Sequence, residues 1–481
     1  MKKKLLLLIA ISIFFSILLF GYSIMKSTGD VQKFTFLKSI FPDKAKRYLK
    51  EKIIFFQYQD LVTHGTKLRE SYIKVNKKRV ANWRLISEEY VDQIEFSLNR
   101  ISTNQSIVTE KNRKYELDKY KIPFFDLDYY EWEQKPIGYI DQTEENLFFV
   151  TGNGQIFYFN KKDIPQDKVP LNNIKSNLKE IILDIKFFNI DRISTKDILI
   201  KDNYLYLSYT REVQNDCYNT SIIRAQIDLN YLKFEDFFVY KECVPLSYKE
   251  WNAHQVGGAL FGSKDKIYLS IGEFRDRKRA QDENSIMGKN VSIDIQSREY
   301  RIISMGHRNV QGMFYDKEKD VMIMSEHGPR GGDEININKG LNKNTTVNNY
   351  GWPISSYGEH YNKTFERTES PLHKSHSEYG FIEPIKYWDI SIGVGTIAKI
   401  PPNYNSIFKK NDYLIGSMGW ILSQGHRSIH HISFDENYEN IIQEDIIKID
   451  ERVRDISIDG KNKLIYLVLE NSPGIGVLKV K

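Results

Sequence analysis

Six short apolar runs, each entered through a polar turn, recur along the chain: LFFVTG from Leu147, LYLSYT from Leu205, IYLSIG from Ile267, MIMSEHG from Met322, LIGSMG from Leu414 and IYLVLE from Ile465. Their starts lie 58, 62, 55, 92 and 51 residues apart. Runs of this length bounded by turn residues read as strands. Each interval has room for about four strands of ~5–6 residues with their turns. The 30 Tyr and 27 Phe of the chain also favour strands over helical bundles. Six such units predict an all-β fold, a six-bladed β-propeller with one repeated strand per blade. A β-sandwich needs fewer strands and gives no reason for the spacing. The 92-residue interval then holds an insertion between Met322 and Leu414.

Ahead of the repeats lie two different textures. After Met1 and three lysines, Leu5 to Met25 runs for 21 residues without a charge. A helix of that length covers the ~30 Å hydrocarbon core of a bilayer. A cleaved signal peptide has a shorter apolar region ending in small residues; the exit here, GYSIMKSTGD, has no such site. The expectation is an uncleaved transmembrane anchor over residues 1–26. The leading lysines keep the N-terminus cytoplasmic and send the rest across, in a bacterium to the periplasmic side of the inner membrane. Residues 27–120 lean helical and basic, with twelve Lys/Arg against three acids between 44 and 84. This stretch predicts a short helical spacer, solvated rather than resting on anionic lipid. The propeller is then expected over 121–481. The formal net charge of +6 resides entirely in the N-terminal part, and the remainder of the chain is net acidic. A nucleic-acid binder carries its basic face on the folded domain, so nucleic acid is excluded as a partner.

Cys217 and Cys243, the two cysteines, flank a hairpin pattern. In an oxidising compartment they can bridge and close it; two unpaired thiols are the alternative. Polar, glycine-rich clusters follow or precede the repeated strands, where propeller loops line the mouth of the central channel. They are NAHQVGG (252–258), GHRNVQG (306–312), EHGPRGGDE (326–334), NNYGWP (348–353) and ERVRD (451–455). Together they offer a candidate base, His254, and a cationic group of Arg308, Arg452 and Arg454. EHGPRGGDE adds carboxylates and glycine-exposed carbonyls, the hard oxygen ligands that suit Ca²⁺. An anionic cofactor bridged by Ca²⁺ fits such a site.

The stretch HQVGGALFGSKDKIYLSIGE, AQDENSIMGKNVSIDI, GHRNVQGMFYD, SEHGPRGGDEININ and NNYGWPISSYGEHY resembles the soluble pyrroloquinoline-quinone (PQQ)-dependent sugar dehydrogenases, the glucose/sorbosone or aldose dehydrogenase family. The resemblance runs from about Leu178 to the end, with EIILDIKFFN and YLYLSYT matching the family's first block. It implies a six-bladed propeller that oxidises an aldose by passing hydride from the anomeric carbon to PQQ. It implies His254 as general base, and Arg308 as the group that stabilises charge on the quinone oxygen, with Asn309 beside it. Arg452 and Arg454 would face PQQ carboxylates. The carbonyls of Gly328 and Pro329 would ligate Ca²⁺, while Glu334 and Tyr350 match positions that hold a second Ca²⁺ in relatives. Two positions depart from the family pattern. Lys179 stands in KEIILD where relatives have a cofactor-contacting Gln, and Gly419 stands in GSMGW where the soluble glucose type has Lys.

The resulting expectation is a membrane-anchored, periplasm-facing PQQ- and Ca²⁺-dependent aldose dehydrogenase with a sugar substrate and an electron acceptor that the sequence does not identify. A propeller that has lost PQQ and binds a carbohydrate or partner protein is the alternative from another class. A Ca²⁺-dependent lactonase is disfavoured, because a hydrolase has no use for GHRN and RVRD. Retention of His254, Arg308, Arg452 and Arg454 together favours the enzyme.

Overall fold

The computed structural model describes residues 96–122, 137–182 and 194–481, except the side chains of Phe96 and Lys179 and residues 153, 253, 344–345, 362–367, 403 and 420–424. The anchor expected over 1–26 lies outside the described residues, as does most of the expected spacer. Among the described residues no helix is long and apolar enough to cross a membrane.

Six strands form the inner ring: Gly138–Gln142, Thr195–Lys201, Gly257–Gly262, Val310–Asp316, Val394–Lys399 and Val453–Asp459. Each touches the next, and the last touches the first, so the ring closes. From each inner strand a meander of antiparallel strands runs outward, giving six blades, numbered here in chain order. The six repeated runs are the second strands of these blades, as the spacing predicts. Val321–Glu326 and Asp412–Ser417 are buried at every residue. A second strand is covered on both faces by neighbouring blades, so its sequence is a continuous apolar run without alternation. The insertion of the long interval precedes the outer strand of blade 4, Lys386–Trp388. Its pair Asn348–Asn349 adds to the edge of blade 3, parallel to Tyr300–Met305.

Closure differs from the expected domain boundary. Residues 96–120, assigned from sequence to the helical spacer, form with Lys121 a hairpin of β1 (Phe96–Val108) and β2 (Lys114–Lys121). β2 pairs with Gly474–Val480 as the outer strand of blade 6, and β1 pairs with Lys168–Asn173, the outer strand of blade 1. Blades 6 and 1 thereby become one nine-stranded sheet. Leu98, Tyr115, Leu117 and Tyr120 of the hairpin are at most 1% exposed and join the apolar clusters beneath both blades. At about 1.5–3 kcal/mol per fully buried large side chain, their loss matches the whole net stability of a typical domain, about 5–15 kcal/mol. The sequence pattern misled because basic residues interleave with the inward ones: in KYELDKYK only alternate positions need be apolar. Cys217 and Cys243 are bridged, tying the start of blade 2's third strand to the short pair at Val244–Pro245.

Three inner strands carry an aspartate that staples one blade to the next. Asp455 accepts the Ile140 N–H (2.8 Å), Asp141 the Ile200 N–H (2.6 Å) and Asp197 the Leu260 N–H (2.7 Å). Each also accepts the N–H of the residue that follows it. Burial pushes their carboxyls upward, Asp141 to about 6 and Asp455 to about 7, against the pull of those hydrogen bonds.

Two outcomes follow from this architecture. A truncation that begins at residue 95 should melt cooperatively, whereas one that begins at 122 should lose the outer strands of the closure and fail to give a soluble, cooperatively melting protein. The aspartate staples set a pH dependence. A carboxyl whose pKa is higher folded than unfolded contributes stability below about pH 4 that is lost as pH rises through about 6–7. Asp455→Asn, measured by thermal melting from pH 5 to 8, should therefore gain on the wild type as pH rises. A constant difference across that range would refute the assignment.

Candidate active site

Antiparallel pairing brings the start of each inner strand beside the end of its second strand: Gly257 faces Ile271, Val310 faces Glu326, Val394 faces Ser417 and Val453 faces Leu469. The loops at these points share one mouth of the ring. His254, Arg308, Gly328, Gly419 and Arg452, scattered over two hundred residues, are collected there by register alone.

The loop before blade 3 carries His254. Asn252 accepts its backbone N–H at 2.7 Å, which sets the turn. The imidazole is half-buried, and its Nε2 is shut from water without a hydrogen-bond partner. The next loop carries Arg308, held by a buried carboxylate. Glu326 accepts the Arg308 N–H, the Asn309 N–H (3.3 Å) and the His307 Nδ1 (2.8 Å). Burial alone would raise Glu326, but His307 and the two backbone donors hold it below the ordinary carboxylate range. The Arg308 guanidinium lies 5.5 Å from the Trp352 ring centre and donates through Nη1 to the His327 carbonyl at 2.8 Å. In the amide orientation that satisfies both its ends, Gln255 accepts Arg308 Nη2 at 2.8 Å and Arg275 Nε at 3.1 Å, and gives its nitrogen to Glu273. Burial raises Glu273 to about 7, even with Arg277, Arg308 and Arg275 nearby. The Asn309 side-chain Oδ1 is spent inside the fold, accepting from the Gly257 N–H and the Gln311 amide at 3.0 Å each.

Across the mouth, Arg452 and Arg454 share one carboxylate. Arg452 Nε donates to one oxygen of Glu470 at 2.7 Å and Arg454 Nε to the other at 2.6 Å. Arg452 Nη1 also donates to the Met418 carbonyl of blade 5. Glu470 is buried, yet the two arginines outweigh burial and keep its carboxyl low.

A small cavity opens beside Arg308 and is lined also by Glu326, His327, Gly328, Glu334, Tyr350 and His376. It unites Arg308 with three of the four predicted metal-binding residues. Pro329 adjoins it, its carbonyl accepting the Ser391 hydroxyl at 3.2 Å. His254, Arg452 and Arg454 lie outside that cavity, and the Lys179 side chain lies outside the described residues. Among the described residues no group of three or more His, Cys, Asp or Glu side chains is arranged to hold a metal. Between Glu334 and Tyr350 sits His376, with Nδ1 2.9 Å from the Tyr350 carbonyl and Nε2 3.5 Å from Glu334. Burial disfavours its charge, but Glu334 prevails and raises the imidazole above its ordinary range.

Sequence reasoning missed Glu326 and Glu470, which organise the arginines. Their signal was present: IYLSIGE, MIMSE and IYLVLE each end in a glutamate at the mouth, Glu273, Glu326 and Glu470.

Comparison with known proteins places this arrangement. The family model for glucose/sorbosone dehydrogenase matches residues 193–478. The aldose sugar dehydrogenase YliI of Escherichia coli is 27% identical over 297 residues, 56% of this chain and 71% of that protein. An uncharacterised protein of Synechocystis sp. is 28% identical over 306 residues, 57% of this chain and 66% of that protein. Among solved structures, the soluble aldose sugar dehydrogenase of Escherichia coli in its apo form superposes with a TM-score of 0.57 at 19% identity, covering 76% of this chain and 99% of that one. At that identity the likeness establishes the propeller fold.

The shared carboxylate yields a stability test. Glu470→Ala leaves two buried guanidinium groups short of their partner and should cost about 3–5 kcal/mol, read by denaturant unfolding. Glu470→Gln, which keeps one acceptor, should cost less. A loss below about 1 kcal/mol for the alanine variant would show that the pair is not held as described.

Proposed function

The chain belongs to the glucose/sorbosone dehydrogenase family, and on that premise we propose that it is a PQQ-dependent oxidoreductase that oxidises an aldose at its anomeric carbon. PQQ, when bound, would supply a quinone carbonyl that accepts one hydride, that is two electrons and a proton. The chain's own residues supply the rest. The observation that carries the reading is His254: a buried, unpartnered Nε2 at the mouth, on the rim opposite the Glu470-held arginines. A neutral imidazole there takes the proton of the anomeric hydroxyl as the C–H bond breaks. Arg308, fixed through its backbone by Glu326 and through its guanidinium by Gln255 and the His327 carbonyl, directs positive charge at the site where negative charge develops. Arg452 and Arg454 supply guanidinium forks suited to carboxylates. The pre-set geometry spares reorganisation during the reaction.

The loop at 328–332 fits a hard cation. A Cβ on Gly328 would lie 2.0 Å from the Gly332 carbonyl oxygen and 2.6 Å from that of Gly331, so glycine alone lets carbonyl oxygens crowd together here. In the proposal the carbonyls of Gly328 and Pro329 hold Ca²⁺ against the cofactor. Glu334 and Tyr350 do not fit a second ion, because the two ring nitrogens of His376 already face the carboxylate and carbonyl that such an ion would use. The uncharged stretch Leu5–Met25 supports an inner-membrane anchor with the propeller in the periplasm.

His254→Gln tests the reading. PQQ titration and melting temperature should stay near wild type, while turnover of aldoses falls about 10²–10⁴-fold, the usual worth of a positioned base. Wild-type turnover in the variant would remove His254 from the role. A wild-type protein that neither binds PQQ nor oxidises any aldose would favour the cofactor-free binding propeller.

A further inference from the structure

We propose that His426 is a cofactor-contacting residue of the blade 5 sector, occupying the space that a side chain at position 419 would otherwise fill. The inference rests on the PQQ reading above. After the second strand of blade 5, the Met418 N–H donates to the Gly393 carbonyl at 2.7 Å and the Gly419 N–H to the Ile392 carbonyl at 2.6 Å. These bonds fasten the loop to the start of the inner strand. Arg452 reaches across from blade 6 to the Met418 carbonyl, so this loop and the arginine sector form one wall. A Cβ on Gly419 would fall 1.8 Å from His426 Nδ1 and 2.5 Å from its Cγ. The imidazole therefore lies directly over the bare backbone of residue 419. Glycine at this position makes room for a ring delivered from seven residues later in the chain, ahead of the third strand, Ser428–Phe434.

His426 is 4% exposed, and neither of its ring nitrogens has a hydrogen-bond partner. Buried polar atoms in native folds are nearly always paired, and leaving one unpaired costs free energy. Two such atoms on one ring, at the end of the ring of blades where the arginines gather, point to a partner outside the protein. In the loop after Glu326, His327 also has a buried Nε2 that lacks a partner. Asp333 acts electrostatically on both rings, but its oxygens are taken by the N–H groups of Gly328, Gly393 and Val394. Burial holds the His426 imidazole below the ordinary histidine range, so it presents one donor and one acceptor. A carboxylate or carbonyl oxygen of an anion drawn in by Arg308, Arg452 and Arg454 would take the donor. The space that a lysine at 419 would fill is thus occupied by a polar group of different length and origin.

The test is PQQ titration of the full-length protein in Ca²⁺, followed by the absorption of the bound quinone, with melting temperature and the sugar KM measured in parallel. His426→Ala should weaken PQQ binding about five- to tenfold, the worth of one hydrogen bond, with little loss of melting temperature. His426→Gln should recover part of the affinity. Gly419→Ala, which pushes the ring from its seat while leaving it in the chain, should weaken PQQ binding in the same direction and stands in if His426→Ala does not fold. Unchanged PQQ affinity in both His426→Ala and Gly419→Ala overturns the proposal and leaves the dehydrogenase reading intact. A raised sugar KM with unchanged PQQ affinity also overturns it, assigning the ring to substrate instead. Failure of the wild type to bind PQQ overturns both.

Discussion

A ring of blades is stable only when it is closed, and here closure rests on one hairpin. Every blade buries both faces against its neighbours. Without β1 and β2, blades 1 and 6 would each present an unpaired outer edge, and the clusters beneath them would lose Leu98, Tyr115, Leu117 and Tyr120. The hairpin pairs with both blades at once, so the seam is a continuous nine-stranded sheet. Everything at the mouth depends on that seam. His254, Arg308, His327, Gly419 and Arg452 stand before or after strands of different blades, and their distances are set by the circumference of the ring.

Within the mouth, the organising device is a carboxylate at the end of a second strand. Glu326 and Glu470 each bind more than one partner: Glu326 fixes the backbone that carries Arg308, and Glu470 fixes two guanidinium groups directly. Taking such charges out of water is costly unless they are paired and fully hydrogen-bonded. The return is positional. An arginine held through its Nε keeps its remaining fork in one orientation, which suits recognition of an anion better than a mobile side chain on the surface. Glu273 is the contrasting case, with burial raising its carboxyl to about 7 despite three arginines nearby.

Two histidines show how a loop can fill space beside a site position. His376, from the insertion of blade 4, lies between Glu334 and Tyr350 and meets with its two nitrogens the groups that a cation would otherwise meet. His426 fills the space over Gly419. In each case the side chain arrives from a segment outside the position it serves. A residue-by-residue reading of motifs sees neither contact.

The sequence by itself determined the number of blades and the identity of their second strands. Those strands are covered on both faces, so burial is written into consecutive apolar residues and repeats at a near-constant interval. It also determined the loops that carry His254, Arg308, Gly328 and Arg452, because polar and glycine residues beside such strands have few other uses. The closing hairpin was legible only as a basic stretch, since an outer strand with one face in water alternates and tolerates lysine and glutamate. Pairing was decided by tertiary structure alone: Glu470 with two arginines, His376 with Glu334, His426 with the space at Gly419. Each of these contacts depends on strand register or loop path: the pairing of Val453 with Leu469 sets Arg452 and Arg454 beside Glu470, and loops bring His376 to Glu334 and His426 over Gly419. Closing the circle then gathers the loops of the different blades at one mouth.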